Sequence, residues 1–143
     1  MGRLFYYVVQ WTWGLPANLI GLLVFIFTYW NAYSTKPYHY ALATALPGSF
    51  GGFSLGMWIF YGQNCESVLP HEYGHGRQVL LFSGLGYLLF FALPSVIRYW
   101  YREWVYKTDK EKYKSLPDYD SVYFEGLATK WGNEAVSGKF WYM

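Results

Sequence analysis

The stretch PHEYGHGRQVLLFSGLGYLLFFALPSVI, residues 70–97, decides the fold because a polar motif leads directly into a long apolar run. Two of the chain's three histidines, His71 and His75, stand four residues apart, with Glu72 beside the first. Residues i and i+4 lie on one face of an α-helix, so both imidazoles can point at the same cation. The spacing therefore predicts a helix that carries two ligands of a metal site.

A catalytic zinc site needs a third protein ligand and leaves its fourth position to water. Glu125 is the leading candidate, because it lies on a helix predicted at residues 121–136 and is followed by small residues, such as Ala128, that allow close helix packing. Glu134 and Glu66 are poorer candidates. We therefore expect Zn²⁺ as the cofactor, held by three side chains.

Glu72 completes the H-E-x-x-H pattern, in which the glutamate stands beside the open metal position and takes a proton from the bound water. This assigns it the role of catalytic base. An oxyanion donor is also required. The sequence leaves three candidates open for it: Tyr73, Tyr123 and His39.

With these residues the chain resembles the gluzincin metallopeptidases, in which H-E-x-x-H is followed tens of residues later by a glutamate ligand. In several membrane-associated members that glutamate stands in an E-x-x-A-D helix. The segment EGLAT, residues 125–129, is similar to this pattern, with Thr129 in place of the aspartate. The resemblance implies a zinc-dependent peptidase whose edge strand, here predicted at residues 53–61, binds an extended peptide substrate.

The order GGFSLG, HEYGH, Q, LPS and TKWGN also resembles a group of small bacterial membrane-associated HEYGH proteins that end in a T-E-K-W-A-D-like segment. Matched to that segment, the family glutamate falls on Thr129 and its aspartate on Asn133. The two alignments thus disagree about the third ligand. Glu125 is preferred because threonine is a poor zinc ligand, but the departures make a catalytically impaired site an alternative.

Composition indicates a membrane protein: 54% of the residues are apolar, 24% are aromatic and only 14% are charged. Trp and Tyr gather where hydrocarbon meets water, which makes the lipid membrane an expected partner. A net charge of +2 and the absence of a long basic run argue against nucleic-acid binding. The single Cys65 excludes a disulfide framework or a cysteine-based zinc cluster.

The predicted topology begins with one membrane helix at residues 11–30, which are uncharged and have about the length that crosses a bilayer, roughly 20 residues. Pro16 indicates that the regular helix starts near that residue. Residues 34–52, rich in glycine and proline, are predicted to form a loop before the strand at 53–61.

The HEYGH helix and its apolar continuation, residues 66–97, present a topological problem. If residues 79–97 crossed the bilayer, His71 and Glu125 would lie on opposite sides and could not share a metal. A bend at Gly84 to Gly86 removes the conflict, since YLLFFALPSVI then returns beside the motif helix as a short helical hairpin. The basic stretch at 98–114 is expected to lie on the membrane surface.

These observations predict a single domain, residues 1–143, that is mainly α with a small β element. It would form a membrane-associated, zincin-like core with one N-terminal membrane helix and a short hairpin after the HEYGH helix. The expected function is zinc-dependent hydrolysis of peptide or protein substrates at a membrane. Two alternatives stay open: a non-catalytic membrane protein with a structural or degenerate metal site, and a membrane-embedded binding or assembly protein whose histidines point apart.

Overall fold

The computed structural model describes residues 2–137. They form a mainly helical fold with one four-stranded sheet, which confirms the predicted mainly α class with a small β element. The helices are α1 (Arg3–Trp11), α2 (Leu15–Thr28), α3 (Leu69–Tyr87), α4 (Leu93–Thr108), α5 (Lys110–Ser115) and α6 (Tyr123–Val136). The strands are β1 (Ser34–Tyr38), β2 (Ala41–Leu46), β3 (Gly52–Leu55) and β4 (Trp58–Gly62). Short 3-10 turns occupy Tyr29–Asn31, Glu66–Val68 and Tyr119–Ser121, and a π-helical segment, Leu88–Ala92, joins α3 to α4.

The sheet has the strand order β1-β2-β4-β3, with a parallel central pair and antiparallel outer pairs. One face packs on α3, where three alanines of β2 leave room for the larger side chains of Leu69 and Tyr73. The other face packs on α2, where Trp58 and Phe60 meet Phe25. The sheet therefore lies between α2 and the helix that carries the histidines.

Two predictions for this region were wrong. The loop expected at residues 34–52 contains β1 and β2, and the single strand expected at residues 53–61 is a hairpin of β3 and β4. Gly56 forms the turn of that hairpin with φ +69°, a conformation that glycine adopts without strain. Alanine has a low intrinsic preference for strands, so β2 owes its conformation to packing against α3.

The single membrane helix predicted at residues 11–30 is also corrected. The chain breaks at residues 12–14, and the two helical pieces, Arg3–Trp11 and Leu15–Asn31, are bent by 92°. Pro16 lies in the first turn of α2, where a proline needs no amide donor. The side chain of Asn18 bonds the carbonyl oxygens of Gln10 and Gly14, at 2.8 and 3.0 Å, and so stabilises the break.

α3 bends at Ser83, one residue before the predicted position, where φ is 70° and ψ is 167°. The hydroxyl of Ser83 accepts a hydrogen bond of 3.1 Å from the amide of Gly86, which is the geometry of a helix N-cap. A straight helix from His71 to Ser95 would be about 36 Å long. Both residues nevertheless contact Glu125, so the second arm returns beside the first.

The returning arm is longer than expected, because it continues through Pro94 to Thr108 instead of ending near residue 97. Proline lacks the amide that would bond the carbonyl four residues earlier. That carbonyl, on Phe90, instead accepts a hydrogen bond of 3.0 Å from the hydroxyl of Tyr123. The π-helical segment and this bond together let the helix pass the proline.

By length and composition, the helical stretch Glu66–Thr108 is apolar enough to cross a membrane, and only 17% of its most apolar window is buried. The bent pair formed by α1 and α2 passes the same test only when its two pieces are taken together. Both candidates contain a sharp break, at residues 12–14 and at Ser83.

The backbones of α3 and α6 touch directly. A Cβ atom on Gly74 would lie 1.8 Å from the carbonyl oxygen of Ala128, and one on Gly132 would lie 1.7 Å from that of Pro70. α6 starts at Tyr123, two residues after the predicted start. The residue before it, Val122, makes no capping hydrogen bond with its side chain. Because neither glycine has a side chain, the face of α3 that carries the histidines packs directly against α6.

Candidate metal centre

His71, His75 and Glu125 bring three ligand atoms together. The Nε2 atoms of the two histidines are 3.1 Å apart, and they lie 3.0 and 3.3 Å from Oε2 of Glu125. Within the described chain these three residues form a group whose ligand atoms all lie within 4.8 Å of one another and which could hold a metal ion. The glutamate selected from the sequence is therefore placed beside both histidines.

His75 is held in one orientation by Gln78, one turn further along α3. The side-chain amide of Gln78 donates to the carbonyl of Phe124 at 2.8 Å, so its oxygen faces His75 and accepts from Nδ1–H at 2.7 Å. With the proton on Nδ1, the lone pair of Nε2 points at Glu125 and at His71. This is the tautomer that a metal ligand requires.

The ring of His71 is held in place by Thr129, whose hydroxyl oxygen lies 2.7 Å from Nδ1. The E-x-x-A-D pattern places its aspartate at this position, so the contact agrees with the alignment that makes Glu125 the ligand. In the other alignment, Thr129 and Asn133 would replace the ligand and its partner. Asn133 is exposed on α6.

Glu125 is fully buried, and both of its carboxylate oxygens are used. Oε2 faces the histidines, while Oε1 accepts hydrogen bonds from the hydroxyls of Ser95 and Tyr119, the latter at 3.1 Å. Burial by itself would raise the pKa of this carboxyl group. In the metal-free chain, protons on the Nε2 atoms of His71 and His75, which a metal would displace, outweigh burial and hold the pKa of Glu125 well below its ordinary value, so the side chain is a carboxylate.

Glu72 is buried on the sheet side of the same helix and interacts with Ser54 of β3. Its Oε2 atom has no hydrogen-bond partner in the part of the chain that the structure describes. A Cβ atom on Gly52 would lie 3.2 Å from Cγ of Glu72, so the beginning of β3 packs directly on this side chain. A buried carboxylate with a free oxygen beside the histidines is able to accept a proton.

No family model, no curated protein and no solved structure matches this chain. The relation to gluzincins therefore stays a prediction that depends on the site residues themselves.

The donor set fits a zinc ion. Bonds of 2.0–2.1 Å place the ligands of a tetrahedral zinc about 3.3 to 3.4 Å apart, and the three atoms found here are 3.0 to 3.3 Å apart. Without a cation, a carboxylate and the lone pairs of two imidazoles would face one another. A bound cation would relieve this repulsion.

A closed structural site would need a fourth protein ligand. The sequence offers His39 and Glu66 for that role, and neither lies in the group of ligand atoms. His39 packs against the ring of Tyr73, with ring centroids 5.3 Å apart, and Glu66 is exposed 3.6 Å from Lys36. Among residues 2–137 the group thus has three protein ligands, which is the number found at catalytic zinc sites.

The three oxyanion donors considered from the sequence lie elsewhere. Tyr73 and His39 pack together on the β1–β2 side of α3, and the hydroxyl of Tyr123 is bonded to Phe90. Tyr119, which the sequence did not single out, has its ring centroid 6.4 Å from that of His71. Burial, followed by the charge of Glu125, raises the pKa of the Tyr119 phenol, which therefore stays protonated and can donate.

The roles of Gln78 and Ser95 were also missed, although the quoted Q and LPS segments contain both residues. Position i+3 from His75 lies on the same helix face, which is a weak signal for Gln78. The place of Ser95 beside Glu125 depends on the bend at Ser83 and could not be found from spacing.

Proposed function

We propose that the protein is a membrane-associated, zinc-dependent peptidase. The observation that carries this proposal is the convergence of His71, His75 and Glu125, with His75 held in the metal-binding tautomer by Gln78 and with Glu72 next to the histidines. The three-ligand set favours catalysis over a closed structural site. The large exposed apolar surface on α2 and α4 supports the membrane location.

A zinc ion held by His71, His75 and Glu125 would supply Lewis acidity, polarising a peptide carbonyl and increasing the acidity of a water. Glu72 accepts a proton as the water oxygen bonds to the carbonyl carbon. When the bond from carbon to nitrogen breaks, Glu72 passes that proton to the leaving amine. As negative charge develops on the carbonyl oxygen, the Tyr119 hydroxyl turns its one proton from Oε1 of Glu125, which Ser95 continues to bond, and donates it to that oxygen.

The predicted substrate strand is β3, at the edge of the sheet and in contact with Glu72. An extended peptide would add to this edge by backbone hydrogen bonds. The carbonyl of Ser54 already accepts a hydrogen bond of 3.0 Å from the hydroxyl of Tyr87, so the peptide would pair with the part of β3 that precedes this residue.

The test begins with metal content of detergent-purified protein. We expect about one zinc per chain in the wild type and its loss in His75→Ala and Glu125→Ala. Glu134→Ala is the matched control, because it removes the same side chain from the same helix outside the ligand group. Zinc retained in Glu125→Ala, or no zinc in the wild type, would contradict the proposed centre.

Activity is tested separately, with zinc-loaded protein and a mixture of unfolded protein and peptide substrates. Glu72→Gln should keep its zinc and lose cleavage, because the amide cannot accept the proton. If the wild type binds zinc and cleaves no substrate, or if Glu72→Gln cleaves as well as the wild type, the non-catalytic alternative becomes the better interpretation.

A further inference from the structure

The break between α1 and α2 lies in contact with the bend in α3. The amide of Gly84 donates a hydrogen bond of 2.9 Å to the carbonyl of Trp13, which joins the bend after Ser83 to residues 12–14. A Cβ atom on Gly84 would lie 2.7 Å from the carbonyl oxygen of Gly14, so the two backbones are in contact.

The surface around these breaks is apolar. Five large side chains within three residues of the breaks are between 39 and 57% exposed, and we call them the apolar tip: Trp13, Leu15, Leu81, Phe82 and Leu85. The chain carries no charged residue between Arg3 and Lys36, and none between Arg77 and Arg98. The tip therefore exposes large hydrophobic groups in a region without charge.

Polar backbone groups at the tip have hydrogen-bond partners inside the protein, as a lipid environment requires. In lipid, polar groups released at a helix break must find partners inside the protein. Asn18 donates to the carbonyls of Gln10 and Gly14, and Ser83 accepts from the amide of Gly86. In water such bonds are optional, because solvent supplies partners.

The charged part of the second arm lies away from the tip. Ser95 is 12 residues beyond Ser83, a rise of about 18 Å, which is shorter than the roughly 30 Å thickness of a hydrocarbon core. After it come Trp100 and Trp104, both exposed, as is typical of a membrane interface. The same region carries the basic side chains that suit anionic headgroups: Arg98, Arg102, Lys107, Lys110, Lys112 and Lys114.

We infer that the apolar tip inserts into the hydrocarbon of a single bilayer leaflet, and that neither helix pair crosses the membrane. The chain enters with α3 and leaves on the same side with α4, so the metal ligands and the basic residues share one side. This inference deepens the membrane association in the proposed function and does not depend on the metal centre. It differs from the crossing helix expected at residues 11–30.

Labelling in vesicles of phosphatidylcholine and phosphatidylglycerol tests the inference. Phe82→Cys at the tip and Lys110→Cys at the charged end are made in a Cys65→Ser background, so each protein has one thiol. We expect a membrane-impermeant maleimide to label position 110 from one side only and position 82 from neither side. A fluorophore at position 82 should be quenched more by lipids brominated deep in the acyl chain than by lipids brominated near the headgroup.

Three results would overturn the inference. Labelling of position 82 from the side opposite position 110 would mean that the chain crosses the membrane. Labelling from the same side would mean that the tip is in water. Protection without bromine quenching would mean that a protein surface, such as a second copy of the chain, covers the tip.

A matched pair of charge insertions adds a quantitative test. Leu85→Lys at the tip should weaken partitioning into the vesicles by about tenfold or more, because lysine is costly in hydrocarbon. Tyr106→Lys, at a similarly exposed position near the end of α4, should leave partitioning unchanged or strengthen it by up to about fivefold, because a lysine there faces anionic headgroups. Equal effects would contradict the insertion. Zinc content in detergent reports separately whether each variant has folded and whether the metal centre exists.

Discussion

Gly74 and Ala128 place the backbones of α3 and α6 in direct contact, so close that a Cβ atom on Gly74 would lie 1.8 Å from the carbonyl oxygen of Ala128. The contact lies in the middle of the HEYGH motif, between its two histidines. The glycine of the motif is therefore what allows Glu125 on α6 to reach both imidazoles.

Gly74→Ala should accordingly destabilise the protein by about 1–3 kcal/mol, since the helices must separate to admit the methyl group. Zinc affinity should fall in the same variant. Thermal unfolding and zinc titration in detergent measure the two effects.

The control for this substitution is Gly86→Ala, because a Cβ atom there would have no neighbour closer than 3.4 Å. It should leave zinc affinity unchanged and stabilise the helix by up to about 1 kcal/mol. If both variants behave alike, the close approach of the helices is not what forms the site.

The part of the site that could be predicted is the part that depends on the spacing of residues along the sequence. His71 and His75 lie on one face because a helix has 3.6 residues per turn, and Glu125 follows from the need for a third ligand. Tyr119 and Ser95 could not be found in this way. Their positions depend on how a loop and a returning helix close over Glu125, which spacing along the chain does not reveal.

In the fold, too, local patterns could be predicted and the features that depend on packing between distant segments could not. The bend was expected at Gly84 to Gly86 and occurs at Ser83, because the serine caps the second arm while Gly84 serves the contact with Gly14. The strand β2 was missed because the prolines and glycines on either side of it indicated a loop, and its alanines have a low preference for strands. It is a strand because alanine is small enough to lie beneath Leu69 and Tyr73 of α3.

Gln78→Leu should lower zinc affinity by about 10- to 100-fold, since His75 loses the acceptor that fixes its tautomer. Zinc competition with a chelator of known affinity measures the change. Gln63→Leu makes the same replacement at an exposed position and should have no effect. Wild-type affinity in Gln78→Leu would show that the hydrogen bond does not orient the ligand.

A substitution at Thr129 should increase zinc affinity, whereas Gln78→Leu should lower it. Thr129→Asp supplies a carboxylate acceptor to Nδ1–H of His71 and should tighten zinc binding, by about tenfold. Thr129→Val removes the hydroxyl at nearly constant volume and should weaken binding. A Thr129→Asp variant that binds zinc less tightly than Thr129→Val would contradict the assigned role of this position.

Tyr119→Phe distinguishes a role in the reaction from a role in holding Glu125. If the hydroxyl stabilises the developing oxyanion, kcat should fall by about 100- to 1,000-fold while zinc content is unchanged. If it only positions Glu125, zinc affinity should fall instead. Tyr101→Phe, on the exposed surface of α4, is the control and should preserve both quantities.

Glu125 predicts how the stability of the metal-free protein depends on pH. Its pKa in the folded chain lies below the ordinary value of 4.5, so the folded state binds fewer protons than the unfolded state in acid. The stabilisation is complete above about pH 4.5 and is lost as the pH falls towards the lowered pKa. The Tm of the metal-free wild type should therefore decrease as the pH falls from about 4.5 to about 3.5, and it should decrease less in Glu125→Gln. Equal pH dependence in the two proteins would mean that Glu125 carries no such stabilisation.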